Sequence, residues 1–233
     1  MSEDLLDCLG RRRSPAARSA FHTGRPPANR GLHYPADPPP VEEIIGVMRA
    51  AGTGAYGDRL RAMIVVLWRA GLRIGEALAL AETDLDRGRG AIIIRRGKGG
   101  KRREVGMDRF GWEHLDPWVE RRRELPVGLL FCVLHGHGRG RPWNAPAVRN
   151  ELRRAGLEAG VRRRLAPHQL RHAHAVELAH ERVPMVVIQR QLGHAHLGIT
   201  SVYLQGIDNA EIIDTVHRRA APVIPATSGL RRA

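Results

Sequence analysis

Lysine is nearly missing from this chain. Of its 38 Lys+Arg residues only Lys98 and Lys101 are lysine. Both lie in one Gly-rich turn, Arg96-Gly97-Lys98-Gly99-Gly100-Lys101. Everywhere else the positive charge is arginine. Lysine can release a proton, whereas arginine, with a pKa above about 12, effectively cannot. Proton donation is therefore a chemical reason to keep lysine at that turn. Cysteine is also scarce: Cys8 and Cys132 stand far apart, with no CxxC pair. That argues against a disulfide framework and a cysteine zinc site. Aromatics make up 4% of the 233 residues, so the core must rest on Leu, Val, Ile and Ala. No apolar run is long enough to span a membrane. The Met1-Ser2-Glu3-Asp4 start lacks the basic and apolar regions of a signal peptide, so a cytoplasmic protein is the expectation. Acidic residues do not cluster with metal-ligand spacing. His135-Gly136-His137 with His114 reads as loop chemistry rather than a metal site, and no cofactor is expected.

What is abundant is positive charge. The net charge is +14, which fits a polyanionic partner, most simply nucleic acid. Residues 1–40 hold Arg11-Arg12-Arg13 and Pro38-Pro39-Pro40 with little apolar periodicity, and read as a basic tail. A short helix around residues 5–9 is compatible with the pattern. From Val41 the apolar spacing turns helical, over 41–51, 58–70 and 73–81. Residues 91–94 and 103–107 read as the two strands of a hairpin. Further helices are expected over 118–125, 147–159, 168–181, 185–192, 199–204 and 209–218, with a third strand over 129–134. The last helix opens with Asp208 as N-cap and Glu211 three residues on. Residues 220–233 read as a loose tail. The fold class is mainly α with a small antiparallel β-sheet (α+β), in one domain over 41–219.

Cleaving a phosphodiester requires a nucleophile, positive charge on the non-bridging oxygens and an acid for the leaving oxygen. Arginines supply the charge through bidentate, charge-assisted bonds. His168 and Arg171 share one helix face at i, i+3, behind Pro167 at a helix start that favours anions. Glu76 stands one turn after Arg73 and can orient a cationic neighbour. Tyr203 is one of three tyrosines and follows a polar stretch containing His194. A phenol with pKa near 10 needs such positive surroundings to act as a nucleophile. Each feature alone has an ordinary structural explanation; their order along the chain is the specific signal.

These pieces resemble the catalytic domain of the tyrosine recombinase (phage integrase) family. They are Gly71-Leu72-Arg73-Ile74-Gly75-Glu76, Gly97-Lys98-Gly99, His168-Gln169-Leu170-Arg171-His172, Leu192-Gly193-His194 and Tyr203. The resemblance spans roughly residues 41–219. It implies a site-specific DNA strand-transfer enzyme with a 3′-phosphotyrosyl intermediate, needing neither metal nor ATP. By position, Tyr203 attacks the scissile phosphate, while Arg73 and Arg171 hold its non-bridging oxygens. His168 and His194 bond the phosphate, Lys98 protonates the leaving 5′-oxygen and Glu76 supports the site. The partner is double-stranded DNA, and the family's tetramers pass a C-terminal helix between neighbours, a role that residues 209–218 fit. The resemblance also implies an N-terminal helical domain for which the tail is too short, and His174 stands where an aromatic residue is common. An integrase of a mobile element is the leading expectation. A truncated DNA-binding remnant and a type IB topoisomerase remain as alternatives. The Arg-rich segments 121–123 and 162–164 are expected to touch DNA phosphates, which set affinity rather than sequence choice.

Overall fold

The computed structural model describes residues 37–95, 97, 102–163 and 165–193. At its centre runs α2 (Gly54–Trp68). From Ala62 to Trp68 every residue is buried, because Met63-Ile64-Val65-Val66-Leu67 presents apolar side chains all round the helix. Around it pack α1 (Val41–Ala50), α3 (Ile74–Leu78), α4 (Arg109–Arg122), α5 (Ala145–Glu158) and α6 (Pro167–His180). A last helix, α7 (Met185–Leu192), lies against α6 and the sheet. Its start follows Pro184, and Gly193 at φ +63° closes it. Side-chain caps fix two other starts: Asp108 accepts from the Gly111 N–H, and Asn144 from the Ala147 N–H, both at 2.9 Å. At the head of α6, Gln169 Oε1 takes the Ala166 N–H at 3.0 Å.

The sheet has the order β1-β2-β3 and is antiparallel throughout, with β1 at Leu85–Asp86, β2 at Ala91–Ile94 and β3 at Arg103–Gly106. Ile92 faces Val105 and Ile94 faces Arg103 across the hairpin. Cross-strand partners share a face of the sheet, so Arg103 lies on the side that buries Ile92, Ile94 and Val105.

The expected elements mostly stand where the periodicity put them, with two corrections. Residues 129–134 form no strand; the third strand is Leu85–Asp86 instead. Leu130 and Phe131 are fully buried, but their segment is held by single bridges, Ala81 to Leu129 and Cys132 to Pro142. Side chains complete its hydrogen bonding. Arg122 Nε donates to Leu129 O, Trp118 Nε1 to Leu130 O and Arg59 Nη1 to Cys132 O, at 3.0, 3.1 and 2.9 Å. A buried backbone needs partners but not a ladder. The second correction is α4, which begins nine residues before the expected residue 118 and runs through Pro117. The Arg-rich stretch on that helix changes meaning too. Arg122 is fully buried and holds loop carbonyls, Arg121 pairs with Asp58, and Arg123 with Glu120. Arg122 therefore does not face DNA. The expected helices at 5–9, 199–204 and 209–218 lie outside the described residues. Among the described residues, no helix is long and apolar enough to cross a membrane.

Candidate active site

Four of the expected site residues fall within the described structure, and three of them meet at one carboxylate. Glu76 sits in the short helix α3 with its side chain 5% exposed. Arg73 is the N-cap of that helix, in extended backbone. Its N–H donates to Glu76 Oε2 and its Nη1 to Glu76 Oε1, both at 2.9 Å. The acidic residue at N3 thus closes back on the N-cap backbone, as in a capping box. Arg73 keeps 30% of its side-chain exposure, so its guanidinium is partly open to a ligand.

Arg171 comes to the same place from α6. It is buried, its Nη1 lying 4.0 Å from Glu76 Oε2. It also donates to two carbonyls that end other segments, Gly71 O through Nη1 and Leu192 O through Nη2, each at 2.5 Å. One planar fork therefore joins the α2–α3 turn to the end of α7. His168 stands one turn earlier on α6 and is exposed, with its ring 6.2 Å from that of His172 in an edge-on arrangement. It also borders an open cleft whose rim carries Arg149, Arg153, Arg162 and Arg163. Arg163 is engaged by Asp37 and Glu43. Lys98, His194 and Tyr203 lie outside the described residues.

Sequence reasoning missed Arg103. From β3 it grips both oxygens of Glu76, Nη1 to Oε1 and Nη2 to Oε2, at 2.8 Å each. A signal was present: strand alternation puts residue 103 on the same face as Val105, so a charged residue points inward. An inward charge calls for a partner.

Electrostatics follow from burial and these contacts. Burial by itself raises the Glu76 carboxyl. The Arg103 hydrogen bonds, the Arg73 N–H, the charge of Arg103 and the Arg73 side-chain hydrogen bond outweigh it and hold the group at about 2. His172 is pushed down to about 4 by burial, then by the positive charge of His168 and Arg171. His174 is pushed down to about 3, mainly by burial and further by Arg69 and Arg171. Its ring packs directly on Gly71. Both imidazoles are therefore neutral at neutral pH.

A second contact fixes α7. Gln191 Nε2 donates to Gly106 O at 2.7 Å, and Gly106 N–H donates back to Gln191 Oε1 at 3.0 Å. The amide thus acts as one more residue on the open edge of β3. The same Nε2 reaches Ala70 O at 3.2 Å. Among the described residues no group of three or more His, Cys, Asp or Glu side chains is placed to hold a metal. His114 Nδ1 instead meets Phe110 O at 3.1 Å.

Comparison with known proteins gives the family and the fold. Residues 40–209 match the model of the phage integrase family. The chain is 28% identical over 201 residues to tyrosine recombinase XerC of Shewanella sp., covering 82% of this chain and 65% of that protein. It is 35% identical over 165 residues to tyrosine recombinase XerA of Thermococcus kodakarensis, covering 70% and 55%. Its fold is similar to that of the XerH site-specific recombinase in a pre-cleavage complex with its difH substrate. The TM-score there is 0.65 at 27% identity, over 79% of this chain and 55% of that one. The chain thus spans less than two thirds of the length of these proteins.

Proposed function

Because the chain belongs to the phage integrase family, we propose that it breaks and rejoins double-stranded DNA at specific sites through a 3′-phosphotyrosyl intermediate. The observation that carries this reading is the convergence of Arg73 and Arg171 on Glu76. Two guanidinium groups from distant parts of the chain are held in fixed orientation beside one buried carboxylate. Such a pair fits the non-bridging oxygens of a phosphodiester, where negative charge grows in the transition state. Arginine cannot shed its proton, so the clamp keeps its charge at any physiological pH. The charge that a divalent ion contributes in other phosphoryl-transfer sites is supplied here by side chains, so no metal is needed, and the phosphotyrosyl linkage conserves the energy of the broken phosphodiester, so no ATP is needed.

The roles follow the chemistry. The Tyr203 phenolate oxygen attacks phosphorus, and the bond to the 5′-oxygen breaks. His168 and His194 hydrogen-bond the phosphate and assist transfer of the phenolic proton. Lys98 delivers a proton to the leaving oxygen, the one task on the list that arginine cannot perform. A 5′-hydroxyl then attacks the phosphotyrosine, the P–O bond to tyrosine breaks, and the strand is resealed in its new pairing. Glu76 holds Arg73. The net charge of +14 supports binding to the DNA backbone, with affinity that falls steeply with salt. Assembly as a tetramer on two duplexes, with residues 209–218 exchanged between neighbours, is part of the same proposal. So is action in the cytoplasm, where an integrase of a mobile element meets its DNA.

The test is covalent capture. The protein is incubated with sheared genomic DNA from its source in the presence of EDTA, then denatured with detergent. A stable protein–DNA adduct that disappears in Tyr203→Phe supports the reading. Salt-sensitive DNA binding with no adduct would support a DNA-binding remnant instead.

A further inference from the structure

None of the roles above uses Arg103, although it makes the best-formed contact in the site. Its fork meets both oxygens of Glu76 in parallel at 2.8 Å, and its side chain is 15% exposed. On its other side lies Gly193. A Cβ built on that glycine would stand 2.7 Å from Arg103 Nε and 2.9 Å from Cδ and Cζ. Arg103 is therefore wedged between α3 and the end of α7, where the chain continues into His194. Its own strand is preceded in sequence by the segment that carries Lys98. One side chain touches, or is continuous in sequence with, the segments that supply Arg73, Lys98 and His194.

Charge balance gives the contact a purpose. Glu76 faces Arg73 on its own helix, Arg103 on β3 and Arg171 on α6, and all three are within ion-pair distance. A carboxylate with Arg73 as its sole partner would neutralise it and turn it away from a phosphate. With Arg103 filling one lone pair of each oxygen, Glu76 keeps a single side-chain bond to Arg73. Three guanidinium charges against one carboxylate leave a positive excess facing the substrate.

We propose that Arg103 is a positioning residue for strand cleavage. Its bidentate pair with Glu76 docks β3, the strand that follows Lys98 in sequence, on α3 and keeps Arg73 oriented and charged toward the phosphate, without Arg103 touching DNA. The proposal rests on the strand-transfer reading above.

The experiment measures the rate of detergent-stable adduct formation on end-labelled, sheared genomic DNA from the source. Wild type, Arg103→Met, Arg103→Lys, Glu76→Gln and the double variant Glu76→Gln/Arg103→Met are compared across the acidic and neutral range. Retention of the same DNA on a filter and thermal unfolding run alongside. Arg103→Met is expected to slow cleavage about tenfold or more, the scale of a lost orienting contact, with DNA retention changed less than about twofold. Arg103→Lys, which restores charge but not the fork, recovers part of the rate. In Arg103→Met the Glu76 carboxyl loses its strongest stabilising partner and titrates nearer the ordinary carboxylate range. Its rate therefore falls at mildly acidic pH where the wild-type rate holds. The double variant lacks that acidic limb and is no slower than the slower single, as for two residues acting as one unit. A purely structural role would give neither the acidic limb nor the coupling. If Arg103→Met unfolds, Arg103→Lys decides by the same pH profile. Adduct formation in Arg103→Met at the wild-type rate and with the wild-type pH profile overturns the proposal alone. Absence of any adduct in the wild type overturns the strand-transfer reading, and the proposal with it.

Discussion

Arg171 donates from Nη1 to the carbonyl of Gly71, 100 residues earlier in the chain, at 2.5 Å. The buried guanidinium is thereby built into the backbone of two segments, since Nη2 serves Leu192 O in the same way. Orientation of the proposed phosphate clamp is thus a property of the core rather than of a surface rotamer. Arg171→Lys tests this. A single ammonium cannot serve both carbonyls and a phosphate. The variant is expected to lose roughly 1–3 kcal/mol of stability from the carbonyl left unpaired. Adduct formation is expected to fall about 100-fold or more, the scale of a lost charge-stabilising donor. Urea unfolding and single-turnover cleavage, measured together, separate the two losses.

Gly71 is the other half of that relationship. It adopts φ +66°, and a Cβ there would meet His174 Cδ2 at 2.5 Å and Leu192 Cδ2 at 3.2 Å. Gly71→Ala therefore combines left-handed backbone strain of about 1 kcal/mol with a clash against a buried ring. The expected cost is roughly 2–3 kcal/mol, read as a lower urea midpoint at unchanged slope. Relief of the clash in Gly71→Ala/His174→Ala, leaving the backbone strain and a cavity, should show as non-additivity.

The buried histidines make stability depend on pH with a definite sign. His174 is held at about 3 and His172 at about 4, against 6.5 for the free side chain. Between 6.5 and those values the unfolded chain takes up protons that the folded chain refuses. Stability is full above 6.5 and falls as pH drops through this window. His174→Phe should flatten the slope of unfolding free energy against pH between about 6 and 4. An unchanged slope would mean that His174 is not held neutral by its surroundings.

Glu76 acts lower on the scale. Its carboxyl is depressed from 4.5 to about 2, so its contribution is complete above 4.5 and is lost as pH falls toward 2. That shift corresponds to about 3 kcal/mol. Glu76→Gln should remove the acid-dependent loss in this window and slow cleavage by freeing Arg73. Chemical denaturation at a series of pH values checks the first, and adduct kinetics near neutral pH the second.

Gln191→Leu should separate α7 from the sheet. The Gly106 N–H and carbonyl and the Ala70 carbonyl would lose their amide partner. A cost of about 1–2 kcal/mol is expected, because the β3 edge is exposed enough for water to replace part of the bonding. Hydrogen exchange should show faster opening at Gly106 and along α7, with α2 unaffected.

Much of this architecture could be read from the chain. The hairpin followed from Ala91-Ile92-Ile93-Ile94, and a helix was expected over 185–192, where α7 stands. The Arg73–Glu76–Arg171 grouping followed from motif order, which a folded domain turns into proximity. What could not be read depends on tertiary partners. Leu129–Leu134 has the composition of a strand, but Arg122, Trp118 and Arg59 take its carbonyls, and nothing local announces that. The helix expected from residue 118 starts earlier and passes through Pro117, because Asp108 caps an earlier turn and Trp112 and Leu115 are buried. Arg103 looked like one more basic residue of a hairpin, since its partner Glu76 is distant in sequence.

The most direct test of the central claim is to identify the residue bonded to DNA. The detergent-stable adduct is digested with nuclease and protease, and the nucleotide-bearing peptide is located by mass spectrometry. The account predicts a single modified peptide with the nucleotide remnant on Tyr203, joined through a 3′-phosphate. A remnant on any other residue, or joined through a 5′-phosphate, would contradict it.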